Sequence, residues 1–337
     1  MNRVELRDGR TLEVEERTYP IPSAKRTELV DLLQQEWPRT DVDWLQSMRG
    51  VYAADLVTRA LLAACDGRAV ATASLAYPKD QPEVCVIEDV MTVPEFRGYG
   101  IARILTARLV DLGFAAGCKV AYLGNVPTPR PVYEKVGFVR LSGVFMRRPA
   151  PGHESYESEA FAAGQPLEIR EANWGDLPSF ACFMAQPMED CLAHYGQGLT
   201  STRYAPARRC VSAFTSVKYE TEGRGGVMLV LAGTRFRHRL MGFAGAVPGA
   251  GPLLADTARL DVAVHDHARE HGPALLAKLL EWCAARKMAA AEALIVATDA
   301  KLRWFEDAGF GRAAVIPGAI RLATGPCDLI MVRKMLG

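Results

Sequence analysis

Val93-Pro94-Glu95-Phe96-Arg97-Gly98-Tyr99-Gly100-Ile101-Ala102 is the stretch on which the reading of this chain turns. An apolar run with strand character, Val84–Val93, precedes it. An amphipathic run, Ile101–Ala116, follows, with Ile104, Leu105, Leu109, Leu112 and Phe114 among its apolar residues. These ten residues therefore carry the backbone from a strand into a helix. Gly98 and Gly100 permit a tight turn and a close approach of backbone to ligand. The first N–H groups of the helix have no internal acceptor and point back at the turn. Together with the helix dipole they favour an anion such as a pyrophosphate. Arg97 can add positive charge at the same place, or its side chain can point elsewhere. The spacing is not the GxGxxG of dinucleotide folds, and no P-loop lysine follows.

Outward from the turn, Val84–Val93 contains two adjacent carboxylates, Glu88 and Asp89. An acidic pair in an apolar strand is costly unless paired or useful. Strand alternation sends the two to opposite faces. Downstream come a strand at Val120–Gly124, then Asn125, then a short helix at Pro131–Val136 that contains Tyr133 and stops at Gly137. Phe138–Arg147 reads as a last strand. Upstream, Thr11–Glu15 alternates as a strand, and Lys25–Glu36 is a helix with Leu29, Leu32 and Leu33 on one face. Ala60–Cys65 and Ala69–Ala76 flank Asp66-Gly67, a favoured tight-turn pair, and predict a hairpin.

Arg97-x-x-Gly100-x-Ala102 resembles the pyrophosphate loop of the GNAT superfamily of acyl-CoA N-acyltransferases. Asn125 and, eight residues on, Tyr133-Glu134-Lys135-Val136-Gly137-Phe138 resemble that family's N-x7-YEK-x-GF run. The resemblance covers roughly residues 15–147. It implies an α/β (α+β) fold with a mixed, splayed central sheet flanked by helices. It implies acetyl-CoA or another acyl-CoA as cosubstrate, held along Met91, Thr92, Val93, Arg97, Gly98, Tyr99, Gly100, Ile101 and Ala102. Asn125 and Tyr133 would lie at the reacting end. The pantetheine arm would occupy a gap between Val84–Val93 and Val120–Gly124. Tyr133 is implied as the acid for the departing thiolate or as a hydrogen bond to it. Its phenol, with a pKa of about 10 against about 8.5 for a thiol, gives a modest driving force. The run IEDVMTV is similar to the acidic strand of glucosamine-phosphate N-acetyltransferases. That likeness implies Glu88 as base or water relay and Asp89 near the acceptor, and it is too short to carry over the sugar. Either carboxylate also reads as the partner of an arginine or the cap of a loop.

The second half repeats the pattern. Strand-like runs stand at Leu167–Arg170, Val227–Ala232, Leu240–Val247, Arg259–Val264 and Ala293–Ala297, with helices at Trp174–Met184, Pro273–Arg286 and Lys301–Ala308. Registered on the turn, Asp89 falls opposite Asp261, Arg97 opposite Arg269, Gly100 opposite Gly272 and Ala102 opposite Ala274. YEKVGF at 133–138 falls opposite FEDAGF at 305–310. A period of this length implies paired domains. The expected division is 1–147, a Pro- and Gly-rich linker at 148–166, and 167–337. The second copy has Phe305 where the first has Tyr133, so catalysis is expected in the first. Arg269, Gly272 and Ala274 fit the loop pattern, so the resemblance implies a second coenzyme loop; covering the acceptor site and holding the fold together by domain–domain burial are the alternatives for this copy.

Composition sets the outer bounds. The 337 residues carry 40 basic and 39 acidic side chains for a net charge of +1, which argues against a broad nucleic-acid footprint. The charged N-terminus lacks a signal-peptide core and no run is long enough to span a bilayer, so a cytoplasmic protein is expected. The eight cysteines form no CxxC pair and read as buried thiols; Cys85 and Cys118 read as strand packing. His265, His267 and His271 read as a polar loop, and no metal is expected. Arg235-Phe236-Arg237-His238-Arg239 reads as a solvated hairpin turn. Trp174, Trp282 and Trp304 read as packing residues. The expected reaction is direct attack of a small-molecule amine on the acyl-CoA. A decarboxylase or acyl loader serving a carrier-protein thiol, and a non-catalytic acyl-CoA-binding protein, are the alternatives. The acceptor, expected around Trp37–Arg59 and Leu192–Arg209, and the oligomeric state stay open.

Overall fold

The computed structural model describes residues 2–37, 42–124, 131–141, 145–186, 192–194, 198–200, 213–251, 254–322 and 324–337. The chain divides into two compact units. The first gathers residues 1–156, 173–182 and 209–212, and the second gathers 157–172, 183–208 and 213–337.

The first half runs β1 (Asn2–Glu5), β2 (Thr11–Thr18), α1 (Ser23–Glu36), α2 (Val42–Arg49), β3 (Leu56–Cys65) and β4 (Arg68–Pro78). It continues with β5 (Val84–Thr92), α3 (Ile101–Ala115), β6 (Val120–Gly124), β7 (Val139–Arg140) and β8 (Phe145–Pro149). Then follow α4 (Tyr156–Ala160), β9 (Leu167–Glu171), α5 (Leu177–Met184), β10 (Leu192–His194), β11 (Gly198–Thr200), α6 (Ala213–Gly223) and β12 (Val227–Gly233). The last elements are β13 (Leu240–Pro248), β14 (Thr257–Val264), α7 (Gly272–Ala285), β15 (Ala290–Val296), α8 (Leu302–Asp307), β16 (Gly311–Leu322) and β17 (Gly325–Met335).

The first sheet has the order β1-β2-β3-β4-β5-β6-β8-β7, and the large second sheet β9-β12-β13-β14-β15-β17-β16. In each, one central pair is parallel, β5 with β6 and β14 with β15, and the other pairs are antiparallel. The same wiring occurs twice, giving two tandem mixed sheets flanked by helices. Each parallel pair keeps only three rungs. In the first sheet these run from Val84↔Val120 to Val86↔Tyr122, and in the second from Thr257↔Ala290 to Arg259↔Glu292. Beyond them the strands part, which is the expected splay.

Side-chain pattern explains most of this. Leu29, Leu32 and Leu33 of α1 are buried, as are Leu105, Leu109 and Val110 of α3 and Leu275, Leu276 and Leu279 of α7. Each such leucine contributes about 1.5–3 kcal/mol by leaving water. Asp66 and Gly67 take φ of 51° and 76°, the paired left-handed residues of a type I′ hairpin.

Several readings change. β1 lies against β2, where no strand was expected, and β2 extends to Thr18. The segment read as one strand at Phe138–Arg147 is two short strands, β7 and β8, pairing back on each other. A Ser-Gly pair lies between them in sequence. The helix expected at Pro131–Val136 is a single 3-10 turn at Glu134–Val136, closed by Gly137 at φ 90°. β16 and β17 were not expected. Pro317 and Gly318 break the strand pattern of β16, and the ladder absorbs them as an irregularity between Ile316 and Ile320.

Candidate functional site

The turn after β5 has the geometry that its glycines permit. Gly98 and Gly100 sit at φ 87° and 81°, and Gly100 is the residue that opens α3. Among the described residues no side chain caps the start of that helix. Its first N–H groups therefore face the turn unspent. A Cβ added at either glycine would meet no atom of the described residues within 4 Å. The space in front of the loop is a cleft of about 570 Å³. Val90, Met91 and Thr92 of β5 border it on one side, and Val132, Tyr133 and Lys135 on another.

Arg97 borders the cleft with its charge already committed. Its Nε donates to the Thr92 carbonyl at 3.0 Å, and its guanidinium pairs with Glu36 at 2.6 Å. It braces the loop against α1. Three further cations at the cleft, Arg7, Arg103 and Lys135, were not singled out in the sequence. Arg103 stood next to a recognised motif and Lys135 within one, whereas Arg7 sits in the turn of a hairpin whose first strand is only four residues long. The Thr92 hydroxyl borders the cleft as well, buried and without a hydrogen-bond partner among the described residues. Such a group favours a ligand that can pair with it.

The acidic strand departs from simple alternation. Ser74 pairs with Glu88 and Thr72 with Met91, so Asp89 and Val90 together oppose Ala73. This is a β-bulge, with Asp89 at φ 53°. The Ser74 hydroxyl donates to the Asp89 carboxylate at 2.9 Å. Ser74 shares a sheet face with Glu88, its rung partner, so both carboxylates lie on that face. The expectation of opposite faces is corrected by the one inserted residue. Tyr19 senses both: burial, then Asp89, then Glu88 push its phenol far above the ordinary range. Tyr19 and Ser74 carried no signal in the sequence.

Tyr133 is buried, 9% exposed, and borders the cleft, with its ring edge-on to Phe138 at 6.4 Å. The Val136 and Phe138 amides both donate to its carbonyl, at 2.9 and 3.0 Å, which fixes its backbone. Asn125 lies outside the described residues, as does most of the stretch expected to meet the acceptor at Leu192–Arg209. Cys85 is buried, and a hydrogen bond with Cys118 together with burial drives its pKa well upward. It is held as a thiol and suits packing rather than attack.

The second copy has the same path with different filling. His265 corresponds to Val93, each preceding its turn with nearly the same backbone angles (φ −59°, ψ 144° and φ −57°, ψ 147°). Gly272, by contrast, is helical at φ −54°, and a Cβ there would come within 2.4 Å of the Trp304 ring. Trp304 occupies the space that stands open before Gly100. Arg269 pairs with Asp266 at 3.1 Å and lies 5.4 Å from that ring. Ala274 is exposed, on the first turn of α7. β14 pairs with β13 without a bulge, which places Asp261 opposite Gly245. Counted from the parallel rungs, Asp261 corresponds to Glu88, and Asp89 has no counterpart. The Val262 N–H donates to Asp261 at 2.9 Å, and the Val262 carbonyl accepts from buried Lys301 at 3.0 Å. Lys301 also lies 3.7 Å from both Asp261 and Asp299. The chain's own side chains thus satisfy the peptide at this splay. His265 stacks on Phe161 at 4.7 Å and His267 hydrogen-bonds the Phe161 carbonyl, so both rings pack locally.

The sequence pattern of the acetyltransferase (GNAT) family matches residues 26–138. A glucosamine 6-phosphate N-acetyltransferase of Trypanosoma brucei brucei is 33% identical over 89 residues. That match takes in 25% of this chain and spans 60% of the relative's length. Among solved structures, a ribosomal-protein-alanine N-acetyltransferase from Brucella melitensis is 22% identical with a TM-score of 0.41, covering 50% of this chain and 99% of its own. A phosphinothricin acetyltransferase from Sinorhizobium meliloti, solved with acetyl-CoA, is 18% identical with a TM-score of 0.43, covering 51% and 89%. Residues 26–138 thus carry the sequence pattern of the acetyltransferase (GNAT) family.

Proposed function

We propose that residues 1–147 transfer an acetyl or other short acyl group from acyl-CoA to the amine of a small molecule. Residues 148–166 would act as the connection and 167–337 as a non-catalytic second copy. The observation that carries the proposal is the Gly98–Ala102 loop, whose open side faces a cleft that also holds Tyr133. The residues present fit acyl-CoA. The loop offers unspent N–H groups for a diphosphate, the cleft has a cationic lining, and the Thr92 hydroxyl is buried without a partner among the described residues. In the second copy Trp304 fills the matching space, and Lys301 and Asp261 take up the matching peptide, which supports placing catalysis in the first.

When bound, acyl-CoA supplies a thioester whose carbonyl carbon bonds to the amine nitrogen as the carbon–sulfur bond breaks. The chain's own groups do the rest. The loop and α3 terminus hold the anionic end and so fix the reacting end by position. The Tyr133 hydroxyl holds a proton for the sulfur. Glu88 and Asp89, on one face beside Ser74, draw a cationic amine and take up its proton, directly or through water. Cys85, held as a thiol, favours direct attack over an acyl-enzyme.

The test is a panel of amines, glucosamine 6-phosphate included because of the relative above, incubated with the full chain and acetyl-CoA. Thiol release and acetylated product by mass spectrometry are the readouts. Turnover that falls in the Glu88→Gln variant supports the reading. Thiol release no faster than without protein for every amine would overturn it.

A further inference from the structure

We propose that the tip of the β1–β2 hairpin belongs to the acyl-carrier site, and that Arg7 binds the phosphate monoester on the ribose of coenzyme A. The inference rests on the acyl-CoA reading above. The tip is a tight turn: the Leu6 amide donates to the Arg10 carbonyl at 2.8 Å and the Gly9 amide to the Leu6 carbonyl at 3.0 Å. Gly9 takes φ 84°, which leaves Arg7 and Asp8 at the apex. Buried Leu6 anchors one side. On the other, Asp8 accepts from Arg10 Nε at 2.7 Å, and the Arg10 guanidinium lies over the rings of Phe96 at 4.3 Å and Tyr99 at 4.7 Å. Those two rings flank Arg97 and Gly98. The hairpin is therefore fastened to the pyrophosphate loop itself.

Arg7 is exposed and borders the cleft, and among the described residues it makes no hydrogen bond or ion pair. Charge makes this informative. Among the described residues the cleft has four cations, Arg7, Arg97, Arg103 and Lys135, and one carboxylate, Glu36, which Arg97 already pairs. Among the described residues Arg7, Arg103 and Lys135 remain uncommitted. Coenzyme A carries two anionic groups, a diphosphate and a ribose phosphate monoester. The diphosphate falls to the loop amides and α3, with Arg103 on that helix's first turn. Lys135 stands two residues from Tyr133, at the reacting end. Arg7, preorganised on a fastened turn, is left for the monoester, where a guanidinium makes paired charge-assisted hydrogen bonds.

Titration calorimetry of the full chain with coenzyme A and with its 3′-dephospho form tests this. Arg7→Ala is expected to weaken coenzyme A about 10-fold and leave the dephospho form unchanged. Arg10→Ala, which unfastens the tip, is expected to give the same selective loss. The preference of the unmutated chain for coenzyme A should shrink below about pH 6, where a phosphate monoester loses its second charge. Equal losses for both ligands in Arg7→Ala would move Arg7 to the diphosphate and overturn the assignment, and so would no loss for either. If the unmutated chain binds neither ligand, the acyl-CoA reading fails instead, and the two failures are distinct.

Discussion

Tyr133→Phe removes a proton donor and keeps a ring that packs against Phe138. Its expected signature is a kcat lowered by about 10- to 100-fold with the KM for acetyl-CoA little changed. Steady-state kinetics that show unchanged turnover would remove Tyr133 from the mechanism. Gly100→Val acts at the other end of the site. The left-handed backbone costs a side-chain-bearing residue about 1–2 kcal/mol, and the new Cβ enters the cleft. Acetyl-CoA affinity, read by calorimetry, is expected to fall, and full affinity would sink the loop assignment. His265 gives a pH prediction. Burial, then the charge of His267, lowers its pKa from 6.5 to about 4, against a smaller opposing effect of Asp266. A lowered folded-state pKa means that the unfolded chain binds the proton first. Stability is complete above pH 6.5, declines as pH falls toward 4, and levels off below, a change on the order of 3 kcal/mol. His265→Phe should flatten that part of the pH–stability curve, and an unaltered curve would show that other groups govern it. Of these residues, Tyr133 and Gly100 were legible because motif spacing marks them. Tyr19 and Ser74 were not, since only the folded sheet brings them beside the acidic strand.

At the scale of elements, α3 lies on β5 through a glycine. A Cβ at Gly113 would stand 2.8 Å from the Cys85 sulfur and 3.5 Å from Leu75. Gly113→Ala gains about 1 kcal/mol of helix propensity and meets an overpacking penalty of about 1–3 kcal/mol. The variant is expected to be less stable in chemical denaturation. Cys85→Ala removes the obstructing sulfur, so the double variant should be more stable than the sum of the two single changes predicts. A strictly additive cycle would rule out this contact as the cause. Elements with one clear period, α1, α3, α7 and the β3–β4 hairpin, were legible because burial imposes that period. The short β1 and the proline-interrupted β16 were not, because ladder partners from distant sequence stabilise them. The bulge in β5 was also hidden. Aspartate tolerates positive φ, but nothing in IEDVMTV says that it adopts it.

For the whole molecule, the tandem wiring was legible from the repeat, and the fate of each copy only in part. Phe305 announced the loss of a hydroxyl. Gly272 was misleading, since the same glycine serves an open cradle in one copy and a tryptophan ring in the other. Calorimetry with coenzyme A should give a stoichiometry near one per chain. A value near two would mean that the space filled by Trp304 opens to ligand. No helix among the described residues is long and apolar enough to cross a membrane.

The bulge has a further consequence. From the parallel rungs to the turn, the first copy is one residue longer than the second, and Asp89 is the surplus. The two copies therefore differ here by a single codon. Its in-frame loss would restore an unbroken ladder while removing one of the two clustered carboxylates. A strand of this kind can thus gain or shed a clustered carboxylate with no redesign of the sheet, by one triplet alone.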